Sequence, residues 1–182
     1  MHQIVIPRNT LIVLCGPAGS GKSTWAARHF SPTQIVSSDR CREIVSDDRA
    51  NQKATPQAFQ LMSFIIRQRL MLGRLTVADA TSVKRQDRKQ FLKLARAFNF
   101  HAALVVFNIP LDVCLARNSK RDRVVPRQAV TLQHALLEST LSTMGLEGFD
   151  LTFLLDERTQ STATVKLSRA VSRRSRRPSR KA

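Results

Sequence analysis

The feature that most restricts the fold of this chain is a glycine-rich segment at residues 16–23, with the sequence Gly-Pro-Ala-Gly-Ser-Gly-Lys-Ser. It matches the pattern G-x-x-x-x-G-K-[ST], which binds phosphate when it joins a strand to a helix. The apolar run 10–15 precedes it and a helical pattern over residues 23–30 follows it. Glycines let backbone N–H groups turn toward phosphate oxygens, and the helix directs its positive N-terminal end to the same place. The motif therefore predicts a binding loop for a nucleoside triphosphate.

Two side chains of this loop carry the charge and metal chemistry. Lys22 is expected to contact the β- and γ-phosphates, and Ser23 to offer its hydroxyl to Mg²⁺. The loop residues predicted to bind nucleotide are Gly16, Gly19, Ser20, Gly21, Lys22, Ser23 and Thr24. The motif thus predicts ATP or another nucleoside triphosphate as phosphate donor, with Mg²⁺ or Mn²⁺, and leaves the acceptor open.

The rest of the chain alternates between short apolar runs and longer amphipathic segments. Such alternation predicts crossover units and an α/β fold, a mostly parallel sheet of about five strands with helices on both faces and a helical lid. The predicted strands are 10–15, 34–37, 75–78, 102–107 and 151–155. The predicted helices are 23–30, 39–46, 56–72, 84–98, 111–116 and 129–144.

The charge of the chain is strongly unbalanced. Thirty Lys and Arg against 13 Asp and Glu give a net charge of +17. Nine of the basic residues follow Glu157 with no acid among them, which leaves +8 for the preceding residues. A surface of this kind attracts polyanions, nucleic acid first and acidic membrane second. We expect one domain at residues 1–159 and a basic, disordered tail at residues 160–182.

The cysteines and the hydropathy pattern restrict the protein class further. Cys15, Cys41 and Cys114 are widely spaced and odd in number, which argues against a disulfide framework and a four-ligand zinc site. The first apolar run, 11–15, is too short to cross a membrane. These observations predict a soluble, cytoplasmic protein that does not act in a membrane.

Two aspartates follow predicted strands, where ligands collect in parallel sheets. Asp39 could accept the proton of an attacking hydroxyl, with Arg42 on the same helix face to orient it, or it could only cap its helix. Asp79 could hold Mg²⁺ through water, or it could cap the turn at residues 81–82. The residues alone favour neither alternative.

Three arginines, Arg117, Arg121 and Arg123, lie within one helical turn and its exit. Arginines above a triphosphate neutralise charge that develops on the transferred group. A run of charges is also typical of a solvated helix face, so both interpretations stay open on the residues alone.

Taken together, these segments resemble the 5′-OH polynucleotide kinase module of bacterial polynucleotide kinase-phosphatases, P-loop phosphotransferases that heal RNA ends. The resemblance extends over about residues 8–156. It rests on blocks that occur in the same order: LIVLCGPAGSGKST, IVSSDRCREIVSDD, Asn51-Gln52, LTVADAT, VVFNIP and Arg117-Asn118, followed by Arg121 and Arg123. Ser82 stands where the family usually has Asn after DAT.

The resemblance implies a role for each matching residue. Asp39 corresponds to the general base for the 5′-hydroxyl, Arg42 to an arginine that engages the adjacent acceptor phosphate, and Gln52 to a glutamine on the acceptor side. Lys22 and Ser23 correspond to the phosphate-loop pair. The lid arginines that close on the triphosphate correspond to Arg117, Arg121 and Arg123.

The expected function is transfer of the γ-phosphate of ATP to the 5′-OH end of RNA or DNA, with nucleic acid as the partner. Two alternatives remain open from the sequence. One is a kinase of a small metabolite such as a sugar acid, a nucleoside or an antibiotic. The other is a nucleotide-binding adaptor without catalysis.

Overall fold

The computed structural model describes residues 3–170. The strands are β1 Gln3–Pro7, β2 Thr10–Cys15, β3 Ile35–Ser37, β4 Thr76–Asp79, β5 His101–Phe107, β6 Leu151–Leu155 and β7 Thr164–Ser168. Five of them form a parallel central sheet in the order β3-β4-β2-β5-β6. This arrangement confirms the predicted fold class and all five predicted strands.

The six predicted helices flank this sheet, and the largest difference in bounds is at the fifth, which continues to Ser119; a seventh helix, Glu157–Thr162, was not predicted. The helices are α1 Lys22–His29, α2 Ser38–Ser46, α3 Thr55–Met71, α4 Arg85–Ala97, α5 Leu111–Ser119, α6 Arg127–Thr143 and α7 Glu157–Thr162. Short 3-10 turns occur at Pro32–Gln34, Gln52–Ala54 and Met144–Leu146. Of the predicted lid arginines, Arg117 lies near the end of α5, whereas Arg121 and Arg123 lie in the irregular stretch 120–126.

Alternate residues of β2 supply two separate cores because successive side chains of a strand point to opposite faces. Leu11 and Val13 pack with α3 and α4, whose buried side chains include Met62 and Phe91. Ile12 and Leu14 pack on the other face with α1, where Trp25 is buried. Every residue of β2 is buried, as expected for the central strand of a covered parallel sheet.

The register of the parallel strands brings their carboxyl ends to one edge, called here the carboxyl edge. Ser37 at the end of β3 pairs with Asp79 at the end of β4. Cys15, at the end of β2, pairs with Val106 of β5. The first turn of α2, the phosphate loop and Asp79 therefore meet at this edge.

The prediction that residues 160–182 form a disordered tail is wrong for residues 160–170. Residues 164–168 form β7, which pairs in parallel with β1 from Gln3↔Thr164 to Pro7↔Ser168. Val165 and Leu167 pack against the core that contains the fully buried Ile4 and Ile6. Two-stranded ladders are marginal by themselves, so this pair depends on the core beneath it. The rest of the predicted tail, 171–182, lies outside the described residues.

Among residues 3–170, no helix combines the length and the apolar composition that crossing a bilayer requires.

Candidate phosphoryl-transfer site

The glycine-rich loop turns sharply between β2 and α1 and is held close to its neighbours. The Gly16 N–H donates to the Thr81 carbonyl oxygen at 3.0 Å. Gly19 and Gly21 have φ values of 81° and 85°, in the left-handed region that favours glycine. A Cβ at Gly19 would lie 2.1 Å from the carbonyl oxygen of Cys114, so no larger residue fits there. The loop is thus packed directly onto α5.

Lys22 is buried at the start of α1 and its ammonium is held by its own loop. Nζ donates to the carbonyl oxygens of Gly16 and Pro17, both at 2.8 Å, and to Ser20 Oγ at 3.3 Å. Burial lowers the pKa of Lys22 below its ordinary value, and the negative charge of Asp79 opposes that shift. These contacts place a positive charge at the mouth of the loop, where phosphate oxygens would replace the carbonyl partners.

Asp79 is buried at the carboxyl end of β4, next to the loop. Burial raises the pKa of its carboxyl, and the charge of Lys22 and the hydroxyl of the neighbouring Ser23 oppose the rise. A hydroxyl and a carboxylate oxygen are hard ligands of the kind that Mg²⁺ takes from proteins when phosphates and water supply the rest. Ser23 and Asp79 therefore fit the donor set expected for a magnesium ion.

Asp39 lies in the first turn of α2, two residues beyond the end of β3. The N-cap of α2 is Ser37, whose hydroxyl accepts from the Arg40 N–H, so the carboxylate of Asp39 is engaged elsewhere. Arg42 Nη1 lies 2.6 Å from Oδ1, and Arg123 Nη1 lies 2.9 Å from Oδ2. Asp39 still exposes 41% of its side chain. Partial burial opposes its ionisation, but Arg123 and Arg42 together hold its pKa below the ordinary range.

Arg42 is buried beneath Asp39 and has donor capacity left over. Its Nη1 also donates to the Arg49 carbonyl oxygen at 3.2 Å. Its Nε has no hydrogen-bond partner among residues 3–170 and is out of contact with solvent. Buried donors in proteins are nearly always paired, so this N–H is an exception within the part of the chain that the structure describes.

The three arginines after β5 are distributed over different partners. Arg117 faces α7, where Nη2 lies 3.1 Å from Glu157 Oε1. The positive charge of Arg121 acts on both Lys22 and Asp79, and Arg123 binds Asp39. Arg123 thus lies beside Asp39, Arg121 lies near Lys22 and Asp79, and Arg117 lies on the side of α7.

Gln52 lies in the 3-10 turn before α3, and it is exposed. Its Nε2 donates to the carbonyl oxygen of Ala50 at 3.4 Å. Ser82 has a φ of 45°, a left-handed conformation that Asn tolerates better than most residues, and its hydroxyl has no hydrogen-bond partner within the described residues. This backbone conformation is a physical reason for Asn to be common at that position in the family that the sequence resembles.

Two glutamines that the sequence did not single out also hold the loop. Gln133 of α6 accepts from the Ala18 N–H through Oε1 at 2.8 Å. Gln160 of α7 donates from Nε2 to the Ser20 carbonyl oxygen at 2.7 Å, and its Oε1 accepts from Arg117 at 3.2 Å. They lie 115 and 140 residues along the chain from these partners, so no local pattern could have indicated them.

A cleft of about 230 Å³ opens beside the loop, on the side of α7. Its lining combines the start of α1 with the end of α5 and with α7, and the residues include Thr24, Trp25, Arg28, Arg117, Glu157 and Gln160. The exposed Thr24, predicted to bind nucleotide, lines this cleft. The cleft adjoins the phosphate loop at Gly21, which lines it as well.

This fold and this loop define a P-loop domain of the kinase type. Residues 11–140 match the AAA domain family AAA_33, and the chain belongs to that family. Transcription factor bHLH140 of Arabidopsis thaliana is 33% identical over 120 residues, a stretch that covers 63% of this chain and 12% of that protein. The chain therefore corresponds to a small part of that relative.

Solved structures share the architecture at low sequence identity. A chain of the Pnkp1/Rnl/Hen1 RNA repair complex superimposes with a TM-score of 0.65 at 20% identity, covering 77% of this chain and 47% of that one. A gluconokinase from Sinorhizobium meliloti superimposes with a TM-score of 0.51 at 18% identity, covering 82% and 83%. The first of these confirms the expected likeness in fold to the polynucleotide kinase module. At these identities the comparisons establish the P-loop kinase fold and leave the acceptor open.

Proposed function

We propose that this protein is an ATP-dependent polynucleotide 5′-hydroxyl kinase. The observation that carries the proposal is the position of Asp39 at the carboxyl edge, where two arginines bind its carboxylate. A carboxylate placed there is suited to accept a proton from a hydroxyl that attacks the γ-phosphorus.

The donor side is formed by the loop and its surroundings. Lys22 and the backbone N–H groups of the loop would bind the β- and γ-phosphates of ATP, and the cleft that contains Thr24 and Arg117 would take the nucleoside. Ser23 and, through water, Asp79 would hold Mg²⁺. The ion would supply positive charge to the phosphate oxygens when bound.

The acceptor side is formed by Asp39 and Arg42. Asp39 is ionised at neutral pH because its pKa lies below the ordinary range. It accepts the proton of the 5′-hydroxyl as the ribose oxygen bonds to the γ-phosphorus and the bond from that phosphorus to the bridging oxygen breaks, which releases ADP. The guanidinium of Arg42, which lies beside Asp39, would bind the phosphate that follows the terminal nucleoside. Arg121 and Arg123 would neutralise the charge of the transferred group, and Gln52 would contact the acceptor strand.

A nucleic-acid acceptor is favoured over a small metabolite by the charge of the protein. Even without the nine basic residues after Glu157, the chain carries +8, and a positive surface concentrates polyanions near the site. The three cysteines are free thiols, and thiols stay reduced in the cytoplasm. Nucleic acid and ATP are both present in that compartment.

A metabolite kinase is the second candidate, since the fold likeness to a gluconokinase shows that this architecture also occurs in a sugar-acid kinase. It predicts transfer to a free small hydroxyl compound and no transfer to oligonucleotides. A nucleotide-binding adaptor predicts ATP binding with no phosphorylated product at all.

One assay separates these functions. Wild type, Asp39→Asn and the control Asp112→Asn are incubated with γ-labelled ATP and either 5′-OH oligoribonucleotide, 5′-OH oligodeoxyribonucleotide or gluconate. We expect label on an oligonucleotide, a rate about 10²–10⁴-fold lower for Asp39→Asn, and no change for the exposed Asp112→Asn. Absence of label on both oligonucleotides with wild type would overturn the proposal, and full activity of Asp39→Asn would remove Asp39 as the base.

A further inference from the structure

The outer face of α4 carries a row of cations. Arg85, Lys89, Lys93 and Arg96 are exposed, whereas Phe91 and Ala95 on the opposite face are buried in the core. A helix rises 1.5 Å per residue, so the first three of these cations succeed one another at about 6 Å. This row is called the α4 basic face.

Acids in the surrounding structure do not neutralise this face. Within residues 3–170, Arg85, Lys89 and Lys93 form no ion pair. The neighbouring acid, Glu147, is buried and bound to the buried guanidinium of Arg88. A groove of about 710 Å³ runs along the basic face, and Phe149 and the Arg88-bound Glu147 line it as well. The groove therefore offers positive charge without a partner.

A second groove, of about 460 Å³, lies on the other side of α4, between α3 and α4. Phe59, Phe64 and Arg67 line it, and 58% of Phe64 is exposed to solvent. Gln90 of α4 lines both grooves, so they adjoin along the helix. Cations that follow a track beside an exposed aromatic ring are typical of surfaces that bind single-stranded nucleic acid, because bases stack on the ring while phosphates bind the cations.

The two helices that line these grooves, α3 and α4, start on the side of the carboxyl edge, where Asp39 lies. α4 starts six residues after Asp79, and Arg88 anchors its first turn by donating to the carbonyl oxygens of Ser82 and Val83 at 2.8 and 2.9 Å. α3 starts directly after the turn that contains Gln52. A strand whose 5′ end is at Asp39 can therefore leave the site along these two helices.

The structure assigns the α4 basic face and the exposed Phe64 as the docking surface for the acceptor strand, a single-stranded nucleic acid several nucleotides long. This inference rests on the proposed function, and it specifies the surface that binds the nucleotides after the terminal one. Phosphates would bind Lys89 and Lys93, and a base would stack on Phe64.

Binding is measured with the full chain and a 3′-fluorescein, 5′-OH 12-mer by fluorescence anisotropy across a range of salt concentrations. We expect Lys89→Ala/Lys93→Ala to bind the 12-mer about tenfold more weakly. The slope of the logarithm of the binding constant against the logarithm of the salt concentration should be shallower by about 1.4, because two phosphate contacts are lost. Phe64→Ala is expected to weaken binding roughly fivefold or more with the slope unchanged, because stacking releases no counterions. The matched control is Arg8→Ala/Arg74→Ala, which removes two exposed charges at the opposite edge of the sheet.

The kinase reaction gives a second measurement. In Lys89→Ala/Lys93→Ala the KM for the 12-mer should rise about tenfold, while the KM values for ATP and for a nucleoside 3′-monophosphate stay unchanged. A 12-mer affinity and salt slope equal to those of the control would overturn the inference and leave the kinase assignment intact. Loss of binding to phosphatidylserine vesicles but not to the 12-mer would overturn it in favour of a membrane surface. Normal binding by wild type without phosphorylation of any oligonucleotide would overturn the proposed function and retain the docking surface.

Discussion

The guanidinium of Arg123 reaches the carboxylate of Asp39 at the carboxyl edge of the sheet, with Nη1 2.9 Å from Oδ2. Arg42 binds the other oxygen, Oδ1, at 2.6 Å. Each carboxylate oxygen has two lone pairs, so both contacts leave capacity to accept a proton from a hydroxyl. The ion pair joins the segment after α5 to the start of α2, and it determines how readily Asp39 is protonated.

Arg123→Ala should raise the pKa of Asp39, because the positive charge that favours the carboxylate is removed. In wild type the pKa is lower in the folded state, so the pairing stabilises the fold above pH ~4 and is lost as the pH falls through the lower folded-state value. Carboxyl ¹³C NMR of labelled aspartate, assigned with Asp39→Asn, measures the shift. Arg121→Ala is the control; an Asp39 titration unchanged in Arg123→Ala would contradict the geometry.

Gly19→Ala should disrupt the phosphate loop far more than Gly73→Ala. Both residues have positive φ, 81° and 71°, but the Cβ at Gly19 would meet a backbone oxygen of Cys114 whereas the space at Gly73 is open. We expect about 1–2 kcal/mol of destabilisation at Gly73 from the left-handed backbone alone. At Gly19 we expect on the order of 3 kcal/mol or more, with loss of ATP binding. Urea unfolding and calorimetric titration with ATP measure both, and equal losses would argue against the close packing.

Glu147→Ala should destabilise the protein by about 3–5 kcal/mol, because it leaves the charge of Arg88 buried without its partner. The double variant Arg88→Met/Glu147→Leu should recover much of this loss, since two apolar side chains of similar size need no solvation. Glu43→Ala is the control, because its ion pairs with Arg40 and Arg49 are at the surface. Urea unfolding measures the free energy of unfolding of all three variants. Similar midpoints for Glu147→Ala and Glu43→Ala would contradict a stabilising role for the buried ion pair.

Truncation after Thr159 should destabilise the fold relative to truncation after Ala170. The shorter chain loses β7, uncovers Ile4 and Ile6, and removes the bond from Gln160 to the phosphate loop. The lost apolar burial amounts to on the order of 2 kcal/mol or more. Thermal unfolding measures the stability of the two chains, and titration with ATP measures nucleotide binding by the loop. Identical unfolding of the two truncated chains would show that the β1–β7 ladder contributes little to stability.

The elements that the sequence predicted well are those with strong local signals. The run from Thr10 to Cys15 is continuously apolar and forms the buried central strand, and the glycine pattern after it forms the expected loop. β7 was missed because its residues alternate within a Ser-, Thr- and Arg-rich stretch, and its apolar side chains acquire a core only when β1 lies beside them.

By itself, the sequence determined the order of the five central strands and of the six helices between them, the phosphate loop and the carboxyl-edge positions of Asp39 and Asp79, since each depends on residues close together in the chain. Only the tertiary structure decided the rest: Arg123 on Asp39, Gln133 and Gln160 on the loop, and β1 beside β7. Those contacts join distant segments. Their geometry follows from how helices and strands pack over a shared core, which no local pattern of side chains specifies.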